Sequence, residues 1–260
     1  MQKQEKHKES KKYGYVMALS TEQHMSSASF LDVDTIIFEE FMERGSYIPN
    51  EPSRLMIFYS TIDRKRGTTK LYMVGNSISK VCPYSKDWNL DKIFKTIKQG
   101  EIKTLEIQND ENNVKIAVEF CKSSGGKTMA IGTSKTMIDT GAWAYSPQPK
   151  LPNSYKNYKC IYRFGFLFQG FKFLSELLLD KNNNYLWYIY PYYKEFDEKL
   201  IVISDEIKPS KYWQRDIYNL SIPNDRLKQL FSTFKENKIF YSDDMCGTDF
   251  KQVIDFIIRK

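Results

Sequence analysis

The chain has 260 residues, enough for one large domain or two modest ones, and its 41% hydrophobic and 15% aromatic content supplies packed cores. That composition excludes a disordered protein, and no apolar run comes near the length needed to span a bilayer. A formal net charge of +7 and a sequence pI of about 9.0 favour a polyanionic partner.

The first twelve residues, MQKQEKHKESKK, are charged throughout and lack the apolar core of a signal peptide, so a charged tail on a soluble intracellular protein is expected over 1–12. YGYVMALS (13–20) has the apolar content of a strand, and TIIFEEF (35–41) gives a second. EFMERGSYIPNEP carries Gly45, Pro49 and Pro52 and reads as a loop. SRLMIFYSTIDRKR places Leu55, Ile57, Phe58 and Ile62 at near-helical spacing, and KLYMVGNSIS (70–79) is a further strand interrupted at Gly75–Asn76. Strand, loop, helix, strand is the rhythm of a parallel α/β sheet.

From about 108 to 155 the pattern gives way to NDENN, SSGG and SPQPKLPNS, a linker holding at most one hairpin. Beyond it CIYRFGFLF, FKFLSELLL and NYLWYIYPYY read as three strands, joined by turns at Gln169–Gly170 and DKNNN. KLIVIS (199–204) offers a fourth. NDRLKQLFSTFKEN places Leu227, Leu230, Phe231 and Phe234 on one helical face. TDFKQVIDFIIRK repeats apolar residues at i, i+3, i+4, i+7 and i+8, with Thr248 as the expected N-cap. Cys82, Cys121, Cys160 and Cys246 lie far apart with no CxxC pair, which argues against structural zinc and for reduced thiols.

Glu39 and Glu40 end the second strand as adjacent carboxylates. In nucleotide hydrolases such a pair divides two jobs: one acid holds Mg²⁺ and the next orients or deprotonates the attacking water. Taken by itself the pair reads better as a surface loop after a buried strand. Asn76 can hydrogen-bond the same water or a γ-phosphate, or can simply be a turn residue. Arg64 and Arg66 have guanidinium groups able to reach a phosphate, or form a solvated basic turn. SSGGKT (123–128) has the second half of a phosphate-binding loop, but Cys121 stands where the first glycine is required and MAIGTSKT after it is not helix-like. RFGFLF matches an RNA-recognition strand incompletely and is better explained as core. Glu176, Asp180, Asp243, Asp244, Asp249 and Asp255 are the carboxylates of the second half. Three meeting strands followed by helices resemble the opening of an RNase H-like fold, yet a two-metal nuclease there needs an acid on its first strand, where this chain has Arg163.

Taken in order, YGYVMALS, DVDTIIFEEF, SYIPNEPSRL, STIDRKR and GNSISKVCPY resemble the DNA-encapsidation ATPases of small protein-primed tailed phages. FGFLFQGF, LLLD and KQLFSTFKENKIFYSDD continue the likeness. The resemblance implies a partial P-loop (RecA/ASCE-like) ATPase sheet over 13–107, a linker over 108–155, and an RNase H-like, non-nucleolytic α/β domain over 156–260. It implies Glu39 at the Walker B metal position, where the family usually has Asp, with Mg²⁺ and ATP as cofactors. Glu40 falls on the catalytic acid, Arg64 or Arg66 on the arginine acting on a neighbouring subunit's ATP, and Asn76 on the polar sensor. The implied protein is a subunit of a homo-oligomeric ring that drives double-stranded DNA into a phage procapsid through its portal, in the host cytoplasm and away from membranes. The family's Walker A loop lies on an amino-terminal segment that would precede Met1. The sequence therefore leaves two readings: part of a longer motor subunit, or a non-hydrolysing nucleic-acid or assembly-binding protein on the same scaffold.

Overall fold

The computed structural model describes residues 14–25, 29–43, 47–76, 79–108, 113–122, 147–220, 225–236 and 238–258. The chain divides into two compact units, one made of Met1–Glu39 with Ile48–Val74 and the other of Glu40–Tyr47 with Gly75–Lys260. Both mix helices and strands, and the larger holds a six-stranded sheet.

In the smaller unit a 3-10 helix (Leu19–Met25) precedes strand β1 (Thr35–Glu39), helix α1 (Glu51–Asp63) and strand β2 (Lys70–Val74). YGYVMALS is not a strand. Its described residues are irregular until Leu19, because Tyr15 and Met17 satisfy their apolar surface by packing on Phe30 and its cluster, without a ladder partner. Helix α1 starts earlier than the expected loop allows. Glu51 accepts the Ile48 N–H at 3.1 Å, and Pro52 sits in the first turn, where its missing N–H costs nothing. The helix ends at Arg64 and Lys65, both left-handed at φ 46 and 64, followed by Gly67. Strands β1 and β2 pair in parallel, from Thr35 opposite Lys70 to Glu39 opposite Val74. The expected strand over 70–79 is thus cut short at Val74. One face of the pair packs Ile36 and Leu71 with Phe30 and Ile62.

In the larger unit helices α2 (Pro83–Asp87) and α3 (Asp91–Thr96), absent from the sequence reading, precede a hairpin of β3 (Ile102–Gln108) and β4 (Asn113–Glu119). This hairpin straddles position 108, where the sequence placed the start of a linker. Strands β5 (Lys159–Phe168), β6 (Phe171–Leu179) and β7 (Tyr185–Pro191) form an antiparallel meander, β8 (Ile201–Ser204) and β9 (Trp213–Asp216) add in parallel beyond β5, and β10 (Ile239–Tyr241) adds in parallel beyond β7. The β5–β6 turn falls at Gln169 and Gly170, both at positive φ (50° and 79°), the twist a two-residue hairpin needs. Helices α4 (Asp225–Lys235) and α5 (Asp244–Ile258) complete the unit. Phe250 of α5 meets Phe166, Phe173 and Tyr241 edge-on or tilted, on the sheet face that also buries Trp187 and Ile189.

Thr248 does not cap α5. The helix begins at Asp244, the Cys246 N–H donates to the Asp243 carboxylate at 2.7 Å, and Thr248 lies inside, returning its hydroxyl to the Asp244 carbonyl at 2.8 Å. An Asx cap five residues upstream outcompetes the threonine because the apolar periodicity extends back through Cys246.

Candidate functional site

Parallel pairing sets Glu39 opposite Val74 on the last rung of the small sheet. Glu40 is therefore one residue past a paired position on β1, and Asn76 two residues past one on β2. All three are exposed. Glu40 leaves the strand at φ 56, a left-handed conformation that costs a non-glycine residue about 1–2 kcal/mol. Such strain is characteristic of functional turns, and periodicity gives no hint of it. A Cβ on Gly75 would sit 3.1 Å from the Phe41 ring and 3.4 Å from the Met42 nitrogen. Glycine thus lets the segment leaving β2 lie against the segment leaving β1, and Glu40 and Asn76 are the immediate neighbours of the two residues in contact.

The two arginines separate sharply. Arg64 is exposed at the α1 C-cap, its N–H bonded to the Ser60 carbonyl. Arg66 turns its guanidinium inward: Nη2 donates to the carbonyls of Val33 at 2.6 Å and Ile62 at 2.9 Å, Nη1 to Leu31 at 2.7 Å, and Nε to Asp63 at 3.0 Å. It staples the segment entering β1 to the end of α1. Asp63 reinforces this turn by accepting from the N–H groups of Gly67 and Thr69, bonds that hold its carboxyl below the usual range. Both arginines precede the amino end of β2, and Glu39 closes the carboxyl end of β1. Five residues at about 3.3 Å each put roughly 13 Å or more between the two ends.

Five of the six carboxylates singled out in the larger unit hold structural contacts. Glu176, fully buried, accepts from Arg163 Nε at 2.7 Å, Tyr155 at 2.6 Å and Tyr190 at 3.1 Å. Burial, followed by the hydrogen bond to Glu176 and then its charge, pushes the Tyr155 phenol up to about 12. Asp180 ties the β6–β7 turn to the N–H groups of Asn182 and Asn184, Asp243 caps α5, and Asp244 pairs with Lys150. Asp249 accepts from the Ser79 hydroxyl at 2.7 Å and the Lys80 N–H at 3.1 Å, and burial raises its carboxyl to about 6. Asp255 is half-buried on α5. Among the described residues no three His, Cys, Asp or Glu side chains group as metal ligands. SSGGKT, with Lys127, lies outside the described residues.

Sequence reasoning missed the Ser79–Asp249 pair, whose members are 170 positions apart, and the buried Asp205, which accepts the Gln169 N–H at 3.0 Å and pairs with Lys86 at 3.4 Å. No local pattern marks either one.

A family model described as Podovirus DNA encapsidation protein (Gp16) matches residues 3–250. The DNA packaging proteins of Bacillus phages PZA and phi29 are each 35% identical to this chain over 80 residues, which are 30% of this chain and 24% of each relative. The matched stretch thus spans about a quarter of those relatives' length. Among solved structures, "The Phi-28 gp11 DNA packaging Motor" overlays 94% of this chain and 66% of its own at 16% identity and a TM-score of 0.43. "The bacteriophage Phi-29 viral genome packaging motor assembly" overlays 92% and 71% at 19% identity and the same TM-score.

Proposed function

We propose a motor role from one premise: the chain belongs to the podovirus DNA encapsidation protein (Gp16) family. On this reading it is a subunit of an ATP-driven motor that packages double-stranded DNA into a phage procapsid inside the host cell. The observation that carries the catalytic part is the exit from β1, where Glu40 takes a left-handed turn directly after the parallel rung Glu39–Val74.

Glu39 and Glu40 fit a Mg²⁺–ATP site in kind. Both are exposed, and Mg²⁺ in nucleotide sites takes only one or two protein carboxylates, with phosphate oxygens and water completing its shell. Glu39 would hold the ion, its extra methylene relative to Asp placing the carboxylate further out. When bound, Mg²⁺ supplies charge neutralisation on the phosphates. Glu40 orients and deprotonates the attacking water, with its backbone already turned out of the strand. Asn76 hydrogen-bonds that water or the γ-phosphate. Arg64, exposed at the far end of β2 from Glu39 and Glu40, suits action on a neighbouring subunit's nucleotide, which requires a ring. Arg66 has its donors spent within its own unit.

For the second half we infer an RNase H-like, non-nucleolytic module. Three antiparallel strands with two parallel strands added beyond the first support that arrangement. The structural engagement of Glu176, Asp180, Asp243, Asp244 and Asp249 supports the absence of cutting. Duplex DNA is held through phosphates by the basic surface, independent of sequence and steeply weakened by salt. No helix of the described residues is long and apolar enough to cross a membrane.

A second reading, a non-hydrolysing binding protein on the same scaffold, is favoured by Glu39 in place of Asp. Glu40→Gln in packaging complexes separates the two. The motor reading expects ATP hydrolysis to fall by about 10²-fold or more, the usual worth of a general base, with complex assembly retained. Unchanged hydrolysis supports the binding reading.

A further inference from the structure

Asp249 lies on the buried face of α5 with Cys246 and Val253, where an apolar side chain would complete the packing. It is 5% exposed, and a carboxylate so placed costs stability unless its hydrogen bonds are made. They are made to a segment far away in sequence. The Ser79 hydroxyl, 170 positions earlier, donates to Oδ1 at 2.7 Å, and the Lys80 N–H donates to the same oxygen at 3.1 Å. Ser79, buried at 1% exposure, passes the constraint on by accepting the Val81 N–H at 3.1 Å. The Ser85 hydroxyl then ties the Lys80 carbonyl and the Cys82 N–H to the start of α2. The segment so anchored touches one ring on both sides of the anchor. Gly75, just before Asn76, packs on Phe41, and the fully buried Tyr84 meets the same ring edge-to-face at 6.0 Å. Phe41 directly follows Glu40.

We propose that Asp249 is a positioning residue for the nucleotide reaction: from α5 it holds the 79–82 segment so that Asn76, and through Phe41 the turn at Glu40, keep their places. The inference rests on the catalytic reading of Glu40 and Asn76. Helix α5 is a firm base for this task, because Phe250, Val253 and Ile254 are fully buried. Asn76 stands three positions before Ser79, so slack at the anchor reaches it directly. A displacement of about 1 Å at a reacting group can cost about 10²-fold in rate. Asp249 acts through the segment and makes no demand on the nucleotide, so its loss should slow turnover and leave ATP binding nearly intact.

Two measurements on Asp249→Ala test this. In packaging complexes, hydrolysis per incorporated subunit should show kcat lowered by about tenfold or more, with KM for ATP within about twofold of wild type. In the 260-residue chain, amide hydrogen exchange across 79–85 should be faster by about tenfold or more, while the β5–β6–β7 meander keeps its protection. Asp249→Asn, whose amide oxygen still accepts both bonds, should restore most of each loss. Ser79→Ala breaks the anchor from the other side and should give the same pair of changes if Asp249→Ala does not fold. Faster exchange across 79–85 with kcat unchanged, while Glu40→Gln still abolishes hydrolysis, overturns the proposal and leaves the catalytic reading standing. Exchange across 79–85 unchanged, or protection lost equally throughout the chain, also overturns it, the latter marking a purely structural role. Hydrolysis unchanged in Glu40→Gln overturns the catalytic reading, and the proposal falls with it.

Discussion

Arg66 Nη2 lies 2.6 Å from the Val33 carbonyl, and through this contact the end of α1 is fastened to the segment that feeds β1. Together with its bonds to Leu31, Ile62 and Asp63, it makes this arginine a part of the fold, whereas Arg64, two residues before it, faces outward. Arg66→Ala should destabilise the protein by about 2–4 kcal/mol, since it orphans several part-buried carbonyls at once. Arg64→Ala should leave the melting temperature within a degree or two while lowering hydrolysis in assembled complexes. Thermal melts of the two variants check the first half directly.

Glu40 sits at φ 56, which glycine adopts without penalty. Glu40→Gly should therefore raise stability by about 1 kcal/mol while removing turnover. A melting temperature that falls would show that the carboxylate makes structural contacts worth more than the backbone strain.

Asp249 supplies a pH dependence whose sign follows from its environment. Burial lifts its carboxyl from an ordinary 3.8 to about 6, against the opposing effect of Ser79, the Lys80 N–H and the Lys80 charge, with Asp243 raising it slightly. A folded-state value above the unfolded one means the folded chain binds the extra proton. The contribution is complete below about pH 4 and is lost as pH rises through 6. Relative to Asp249→Asn, the wild-type protein should lose about 2 kcal/mol between pH 4 and pH 7. Chemical denaturation of both proteins across that window measures it, and parallel curves would contradict the assignment.

Glu176 is buried against an Arg163 side chain that is 53% exposed. Removing the arginine strands a carboxylate with only Tyr155 and Tyr190, and Arg163→Ala should cost about 2–4 kcal/mol. Glu176→Gln should cost less, because the amide oxygen still accepts from one tyrosine, its NH₂ can donate to the hydroxyl oxygen of the other, and Arg163 is free to reach solvent. Denaturant midpoints for the pair decide the order.

The elements legible in the sequence were those with strong, long periodicity. The β5–β6–β7 meander and its turns are written in unbroken aromatic and aliphatic runs, and α1 and α4 in helical spacing. Strands of three or four residues such as β9 and β10 carry no period to detect, and their pairing is set by the sheet they join. YGYVMALS has strand-like composition but finds its burial through Tyr15 and Met17 on Phe30 instead. At the candidate site the residue types and order were legible, including Glu39, Glu40 and Asn76. The left-handed turn at Glu40 and the division between Arg64 and Arg66 were not. Both depend on contacts made after folding: Arg66 reaches carbonyls more than thirty positions away.

The central claim is that Glu40 serves its own nucleotide and Arg64 a neighbour's, and mixing two inactive proteins tests it most directly. Packaging complexes assembled from Glu40→Gln alone or from Arg64→Ala alone should hydrolyse ATP at a small fraction of the wild-type rate. Complexes assembled from an equal mixture should recover activity, because some Arg64→Ala subunits then sit beside a Glu40→Gln subunit whose Arg64 is intact. Hydrolysis in the mixture no higher than in either parent would contradict an active site shared between subunits.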